Sequence, residues 1–549
     1  MNAPRARPVV PLPATTEWLI LAAIIAVGAW LRFQHPELLE FKADEAFAAN
    51  QALEFVRGGK LPTAGLMSSV GVSNPPLFVW LLIPMFFLTS NIAVVCGMVS
   101  VLGLAAVVAT WWIGRRYYGS VSGLVAAALF ASGPWAVVYS RKIWAQDFVP
   151  VLATGAMWAA HSLILGKNPK AIFWLLCLPL CVIQIHYSGF ALTASAIAVV
   201  VLLRPRIDWR FAGAGVALAV LLALPYVIAQ QRNGWAEWKR VSEEGSSRHW
   251  EQLPRGVTIN PQSGYPFPRR PTEAWRHALA IINAGEIEDI LGLSTSEAFD
   301  PNRIWVSKSS GRNRYFDTTL TLGDWLPGLQ QLAFSIALVW FGVRALQSAK
   351  TVFRRHVTAD EDAKRAWILV MWVVVPLAVY LVAGLWTYLS YYVILYPVYF
   401  VALGALARRA VPPNILVAGI AAFVAGNVVF MLDVNRYLVT CGGAQGTYGT
   451  GLGFKQAAAE YVAARADARE FVKQNRLLQM DQWQRVEPAQ LDLPFLATMR
   501  GQGKGSPLAA NSVVLVVDDN RTSFDASRVN FGGTGTNFGP MRVYIINRQ

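Results

Sequence analysis

Residues 35–76 read HPELLEFKADEAFAANQALEFVRGGKLPTAGLMSSVGVSNPP, between one apolar run at 18–33 and another at 77–88. Apolar residues recur in this stretch as Leu38, Leu39 and Phe41, then Ala46 and Phe47, then Leu53, Phe55 and Val56. That spacing predicts a short helix lying on a membrane surface, one face in lipid and one in water. Two adjacent carboxylates, Asp44 and Glu45, fall in its middle. Acids at such an interface are placed to meet a molecule with a lipid tail and a polar head. They are equally ordinary on the wet face of any surface helix, so the surrounding architecture has to decide.

Composition sets that architecture. The chain has 549 residues, 54% hydrophobic and only 15% charged, and its mean hydropathy is +0.38. At this length that means a polytopic membrane protein. The 21 Trp and 17 Tyr suit interfacial belts. The net charge of +15 lies in short basic clusters between apolar spans, a topology signal, and no nucleic-acid partner is expected. Cys96, Cys177, Cys181 and Cys441 form neither a disulfide framework nor a zinc site. Residues 1–17 are short and basic with no small-residue cleavage site, and read as a cytoplasmic tail.

Arg5 and Arg7 hold that tail inside, so span 18–33 runs outward and the loop 34–90 is external. The run LFVWLLIPMFFL at 77–88 is short and interrupted by Pro84, and is expected to dip into the membrane from outside. If it crossed, everything after it would invert. Further spans are expected at 92–113, 124–138, 148–165, 172–185, 190–203, 211–228, 325–345, 367–385, 391–407 and 415–432, about eleven in all. A long external loop, 229–324, carries a short helix near 271–284. The transmembrane domain thus covers 18–432. Residues 433–549 are expected to form a small external α/β domain, with a glycine-rich linker at 442–453, a helix at 456–474 and strands at 512–517 and 542–546. The linker does not sit between a strand and a helix, so no nucleotide site is expected there.

Four polar features then collect at external span ends: Asp44-Glu45; Tyr139-Ser140-Arg141-Lys142 with Asp147; Gln184 with His186; and Tyr391-Tyr392. Ionisable groups at such depth line a cavity or find a partner. His186 or a tyrosine alone is more often a packing residue or an interfacial anchor. Arg141 and Lys142 are the one short basic pair on the external side, and a phosphate held at the outer leaflet would account for them. No metal-ligand spacing appears, so no obligatory metal is expected, although two carboxylates can hold a divalent ion.

The segments FKADEAFAANQALEFVRGG, NPPLFVW, RRYYGSVSGLVAAALFASGPWAVVYSRKIWAQD and QIHYSGF resemble the integral-membrane GT-C glycosyltransferases. The resemblance is to the branch with the protein O-mannosyltransferases, the lipid A aminoarabinose transferase and the RgtA/B/C/D-like enzymes. It covers roughly residues 15–230 and, more weakly, 388–407. It implies a GT-C type polytopic α-helical fold in the bacterial inner (plasma) membrane with an external active site. It also implies inverting transfer of a hexosyl or pentosyl unit from a polyprenyl-phosphate-linked donor to an envelope lipid, glycan or protein, without a nucleotide sugar. By that resemblance Asp44 takes the place of the first-loop catalytic acid and Asp147 that of the second-loop acid. Residues 229–324 and 433–549 match no motif, which leaves the acceptor open.

The chemistry agrees. Such transfer needs a base for the acceptor's proton and positive charge where the phosphate departs. Asp44 is the expected base, with Glu45 and Asp147 orienting it or the acceptor. Lys42, Arg141 and Lys142 are the expected phosphate contacts, and Gln184, His186, Tyr391 and Tyr392 line the donor side. A membrane transporter or an envelope assembly protein are the other classes open to such a chain. A transporter should show repeated halves and mid-membrane broken helices. No internal repeat is evident, and the polar residues gather at one face.

Overall fold

Helix α1, Ala14–Phe33, is apolar nearly throughout yet buries Arg32 in its last turn. The Arg32 guanidinium donates to the carbonyls of Gly28 at 3.0 Å, Ala131 at 2.7 Å and Ala136 at 3.2 Å. The last two flank the break between α5, Ser120–Ser132, and α6, Pro134–Val138. Gly133 and Pro134 interrupt the ladder there, and backbone groups freed in apolar surroundings need a partner. Arg32 supplies it. The computed structural model describes residues 13–68, 71–244, 271–282, 320–353, 360–383, 389–410, 412–444, 449–463, 477–482, 485–488, 512–518 and 535–547. Much of the expected loop 229–324, positions 445–448 of the linker and the second half of the expected helix 456–474 lie outside the described residues.

Helix α4, Ile92–Tyr118, starts at Asn91, whose side chain accepts from the Ala93 N–H at 3.0 Å. At its far end Arg115 donates to the buried Glu17 carboxylate at 2.8 Å. The last turn of α4 therefore meets the first turn of α1, and the two helices run antiparallel. The elements between them, α2 (Ala43–Val56) and α3 (Leu77–Leu88), lie at the opposite end. The 12 residues of α3 reach about 18 Å at 1.5 Å per residue, short of a core of about 30 Å. This is the geometry of the expected dipping segment.

The chain continues through α7 (Ala145–Ile164), α8 (Ile172–Ile185), α9 (Gly189–Leu203), α10 (Trp209–Arg232), α11 (Ala236–Glu244), α12 (Pro271–Ala280), α13 (Leu320–Phe353), α14 (Glu361–Ala383), α15 (Tyr396–Ala410) and α16 (Pro413–Cys441). Tyr118 Oη lies 2.9 Å from His161 Nε2, and Arg408 donates to the Tyr118 carbonyl. The C-terminal ends of α4, α7 and α15 thus share the Glu17–Arg115 end. Helix α5 is buried all round from Ser122 to Ser132 and forms the centre of the bundle. Leu19, Leu221 and Val417 face outward, as lipid-facing residues do. Among the described residues seven helices are long and apolar enough to cross a membrane, and four shorter apolar helices accompany them. The molecule is a polytopic helical membrane protein.

After α16 the chain makes a small antiparallel hairpin, β1 (Gly443–Ala444) with β2 (Gly449–Thr450), and then α17, Leu452–Ala463. Five further strands, β3 (Leu477–Gln482), β4 (Arg485–Pro488), β5 (Ser512–Asp518), β6 (Gly535–Phe538) and β7 (Met541–Asn547), pair in the order β4-β3-β5-β7-β6. Among the described strands only β3 and β5 run parallel. The two strands expected from sequence are β5 and β7, side by side, with Leu515 opposite Tyr544.

Candidate active site

Helix α2 carries the carboxylate pair in its first turn. Its buried face is Glu45, Ala46, Ala48, Ala49, Ala52 and Leu53, a helical stripe, while Asp44, Asn50 and Glu54 are exposed. Adjacent residues on a helix point about 100° apart, which separates the two acids. Glu45 turns back to accept from the Lys42 backbone N–H at 3.0 Å, so it caps its own helix. Its second oxygen has no hydrogen-bond partner among the described residues. Burial pushes the Glu45 carboxyl up, against the pull of Lys42 and Lys142.

The loop after α6 brings the cations. Gly103 of α4 lets it approach, because a Cβ there would lie 2.7 Å from the Ser140 Cβ. Ser100 Oγ fixes the loop by donating to the Ser140 carbonyl at 2.8 Å. Arg141 donates to the carbonyls of Gln34 and His35 at the C-terminus of α1, the negative end of that helix. It also reaches Asn435 of α16 at 3.4 Å. Lys142 is buried, 4.1 Å above the Trp144 ring, with Nζ 2.7 Å from Glu40. Glu40 also pairs with Lys42. Burial by itself would raise the Glu40 carboxyl, but Lys142 and Lys42 together hold it down at about 2. Burial would likewise lower the Lys142 ammonium, and Glu40, Glu45 and Asp147 outweigh it and push it up. Asp147, in the first turn of α7, is buried, and neither carboxylate oxygen has a side-chain hydrogen-bond partner among the described residues.

A second cluster forms at the C-terminal end of α8. His186 Nδ1 lies 2.9 Å from Ser188 Oγ, and its ring meets the Tyr391 ring edge-on at 4.4 Å. Burial pulls His186 down to about 4, so it is neutral near pH 7. Tyr391 and Tyr392 lie in the 3-10 segment Leu389–Leu395. Tyr392 is fully buried against Tyr380 and His277. Gln184 turns to α10, donating to the Ala219 carbonyl at 2.8 Å.

The structure therefore gathers Lys42, Glu45, Arg141, Lys142 and Asp147 in one charged cluster, with Asp44 on its exposed rim. His186, Tyr391 and Tyr392 form an aromatic cluster, and Gln184 is engaged by α10. Glu40, Trp144 and Asn435 were not singled out from sequence. Glu40 carried one signal, an acid flanked by Leu39 and Phe41. A cavity of about 20 Å³, room for about one water, lies between Glu40, Arg141, Lys142 and Asn435. Among the described residues no three His, Cys, Asp or Glu side chains are grouped to hold a metal ion.

No family model matches the sequence, and no curated protein matches it. Solved structures do. ArnT from Cupriavidus metallidurans, solved with bound undecaprenyl phosphate, superimposes with a TM-score of 0.53 at 11% identity, over 98% of this chain and 100% of that one. The oligosaccharyltransferase AglB from Archaeoglobus fulgidus, solved with an inhibitory peptide and a dolichol-phosphate, gives a TM-score of 0.47 at 11% identity, over 97% of this chain and 74% of that one. At 11% identity the ArnT likeness is one of fold, and it extends beyond residues 15–230 to nearly the whole chain. The chain has the GT-C fold.

Proposed function

We propose that the chain is an inverting glycosyltransferase, moving a hexosyl or pentosyl unit from a polyprenyl-phosphate donor to an envelope lipid, glycan or protein at the outer membrane face. The observation that carries this reading is the charged cluster at one end of the GT-C bundle, with three cations behind an exposed carboxylate. The ArnT structure, which holds undecaprenyl phosphate, supports a donor of that class. In the transfer, an acceptor hydroxyl oxygen attacks the anomeric carbon. The bond from that carbon to the phosphate oxygen breaks, and its electron pair leaves with the phosphate. One displacement inverts the centre.

Asp44 takes the hydroxyl proton. It is exposed and so open to an acceptor, whereas Glu45 is fully buried and engaged in capping α2. Lys42, a quarter exposed beside Asp44, is the first cation a phosphate reaches, with Lys142 and Arg141 deeper. His186 and Tyr391 offer a neutral surface for the sugar, and Tyr392 and Gln184 support it from behind. Asp147, buried near Lys142, balances the cations.

Asp44→Asn keeps shape and removes basicity. General-base catalysis contributes about 10²–10⁴-fold, so turnover of a polyprenyl-phosphate sugar by purified protein should fall that far with donor binding intact. Glu45→Gln retains an oxygen for the Lys42 N–H and should lose less than about tenfold. Wild-type rates in Asp44→Asn would remove Asp44 from the mechanism. A dead Glu45→Gln beside an active Asp44→Asn would reverse the two roles.

A further inference from the structure

Two hydrogen bonds and the close approach of two glycines bring the segment after α16 onto the backbone that precedes α2. The Leu452 N–H donates to the Leu39 carbonyl at 2.9 Å. Gly451 and Gly453 allow this approach: a Cβ on Gly451 would lie 2.9 Å from the Glu37 carbonyl oxygen, and one on Gly453 2.9 Å from the Glu37 Cβ. Lys455, 1% exposed, donates from Nζ to the Phe41 carbonyl at 2.5 Å. That carbonyl belongs to the peptide joining Phe41 to Lys42, the N-cap of α2. The residue before it is Glu40, the acid between Lys42 and Lys142. Burying an ammonium is costly, so its burial here with a hydrogen bond to the Phe41 carbonyl marks a specific contact. Residues 39–41 lie in no helix or strand, and the contacts from 451–455 hold them together with the pairing of Glu40 to Lys42 and Lys142.

We propose that Lys455 is a positioning residue for the transfer reaction: it holds the Phe41–Lys42 peptide, and with it the first turn of α2, so that Asp44 meets the acceptor. Residues 451–455 are then a working part of the site. The proposal rests on the glycosyl-transfer reading of that site.

The test uses full-length purified protein with Lys455→Met, which keeps length and removes the donor, and Lys455→Arg, which restores one. A small misplacement of a catalytic group can cost about a hundredfold. Lys455→Met should lower kcat per folded molecule about ten- to a hundredfold, with any rise in donor KM smaller than that loss although Lys42 shares the displaced peptide, and Lys455→Arg should recover most of it. Gly451→Ala, which displaces the Glu37–Leu38 backbone without touching charge, should give the same kcat loss and serves if Lys455→Met does not fold. Wild-type kcat per folded molecule in Lys455→Met or Gly451→Ala overturns the proposal. Independently of turnover, amide hydrogen exchange at residues 42–46 should quicken in Lys455→Met and not in Lys455→Arg, and unchanged exchange also overturns it. Quickened exchange in a protein that turns over no polyprenyl-phosphate sugar would uphold the positioning and sink the transfer reading instead.

Discussion

Glu40 is the residue on which the buried charge balance turns. It pairs with Lys142 and with Lys42 in a pocket that water hardly reaches. Removing one partner of such a pair strands a buried charge and costs about 3–5 kcal/mol, whereas replacing both by apolar groups is often neutral. Glu40→Leu and Lys142→Met should each lower the thermal unfolding temperature in detergent, and the double variant should lie above either. Equal, additive losses would show that the pair is not coupled. The pH dependence has a definite sign. Glu40 is held at about 2, below its ordinary 4.5, so its contribution is complete above 4.5 and fades as pH falls toward 2. Lys142 is raised above 10.5, so its contribution is complete below 10.5 and fades only above it. The pair should therefore add a flat increment from about pH 5 to about pH 10. In the sequence Arg141 and Lys142 are legible as misplaced cations, and phosphate is the partner they suggest. The structure gives them protein partners first, one of them 102 residues away, and no spacing rule reaches across that distance.

At the scale of elements, the far tip of the first loop is held by α11. The Ser73 backbone N–H and hydroxyl both donate to Glu237, at 2.9 and 3.0 Å, and Arg240 donates to the Gly71 carbonyl at 2.9 Å. Tyr226 Oη donates to the Ser73 carbonyl at 2.8 Å, and Gln230 supports Glu237 at 3.2 Å. Hydrogen bonds to a charged group contribute about 1.5–3 kcal/mol each. Glu237→Ala should thus speed amide exchange at Ser73 by about tenfold or more, with the core of α10 unchanged. Unchanged exchange would mean that the other contacts, Tyr226, Arg240 and the bridge between Met67 and Ser73, hold the tip without Glu237. Helix α2 was legible beforehand because its buried stripe follows the helical period. Helix α11 was not, because nine residues carry too little intrinsic helicity and its partners lie in another loop.

For the whole molecule, hydrogen bonds sort the helix ends into two sets. Arg115 with Glu17 and Arg408 with the Tyr118 carbonyl mark one end. The loops carrying Lys167 and Lys170 and then Arg204 and Arg206 meet through the Asp208 N–H and the Pro169 carbonyl. Each lies one helix away from the Lys142–Glu40 end, after α7 and after α9, so they belong with the first set. The order of apolar runs and the GT-C resemblance of residues 15–230 were legible because each span carries its own signal. The docking of 451–455 on 37–41 was not, since it joins glycines and a carbonyl that share no pattern. Short basic loops stay on the cytoplasmic side, so we propose that the charged cluster faces outward. The exposed positions Glu54, Lys170 and Arg206 test this. With the four native cysteines replaced, a membrane-impermeant maleimide applied to intact cells should label Glu54→Cys and spare Lys170→Cys and Arg206→Cys until the membrane is opened. The reverse pattern would put the cluster in the cytoplasm, where nucleotide sugars are available, and the case for a lipid-linked donor would then lose its topological support.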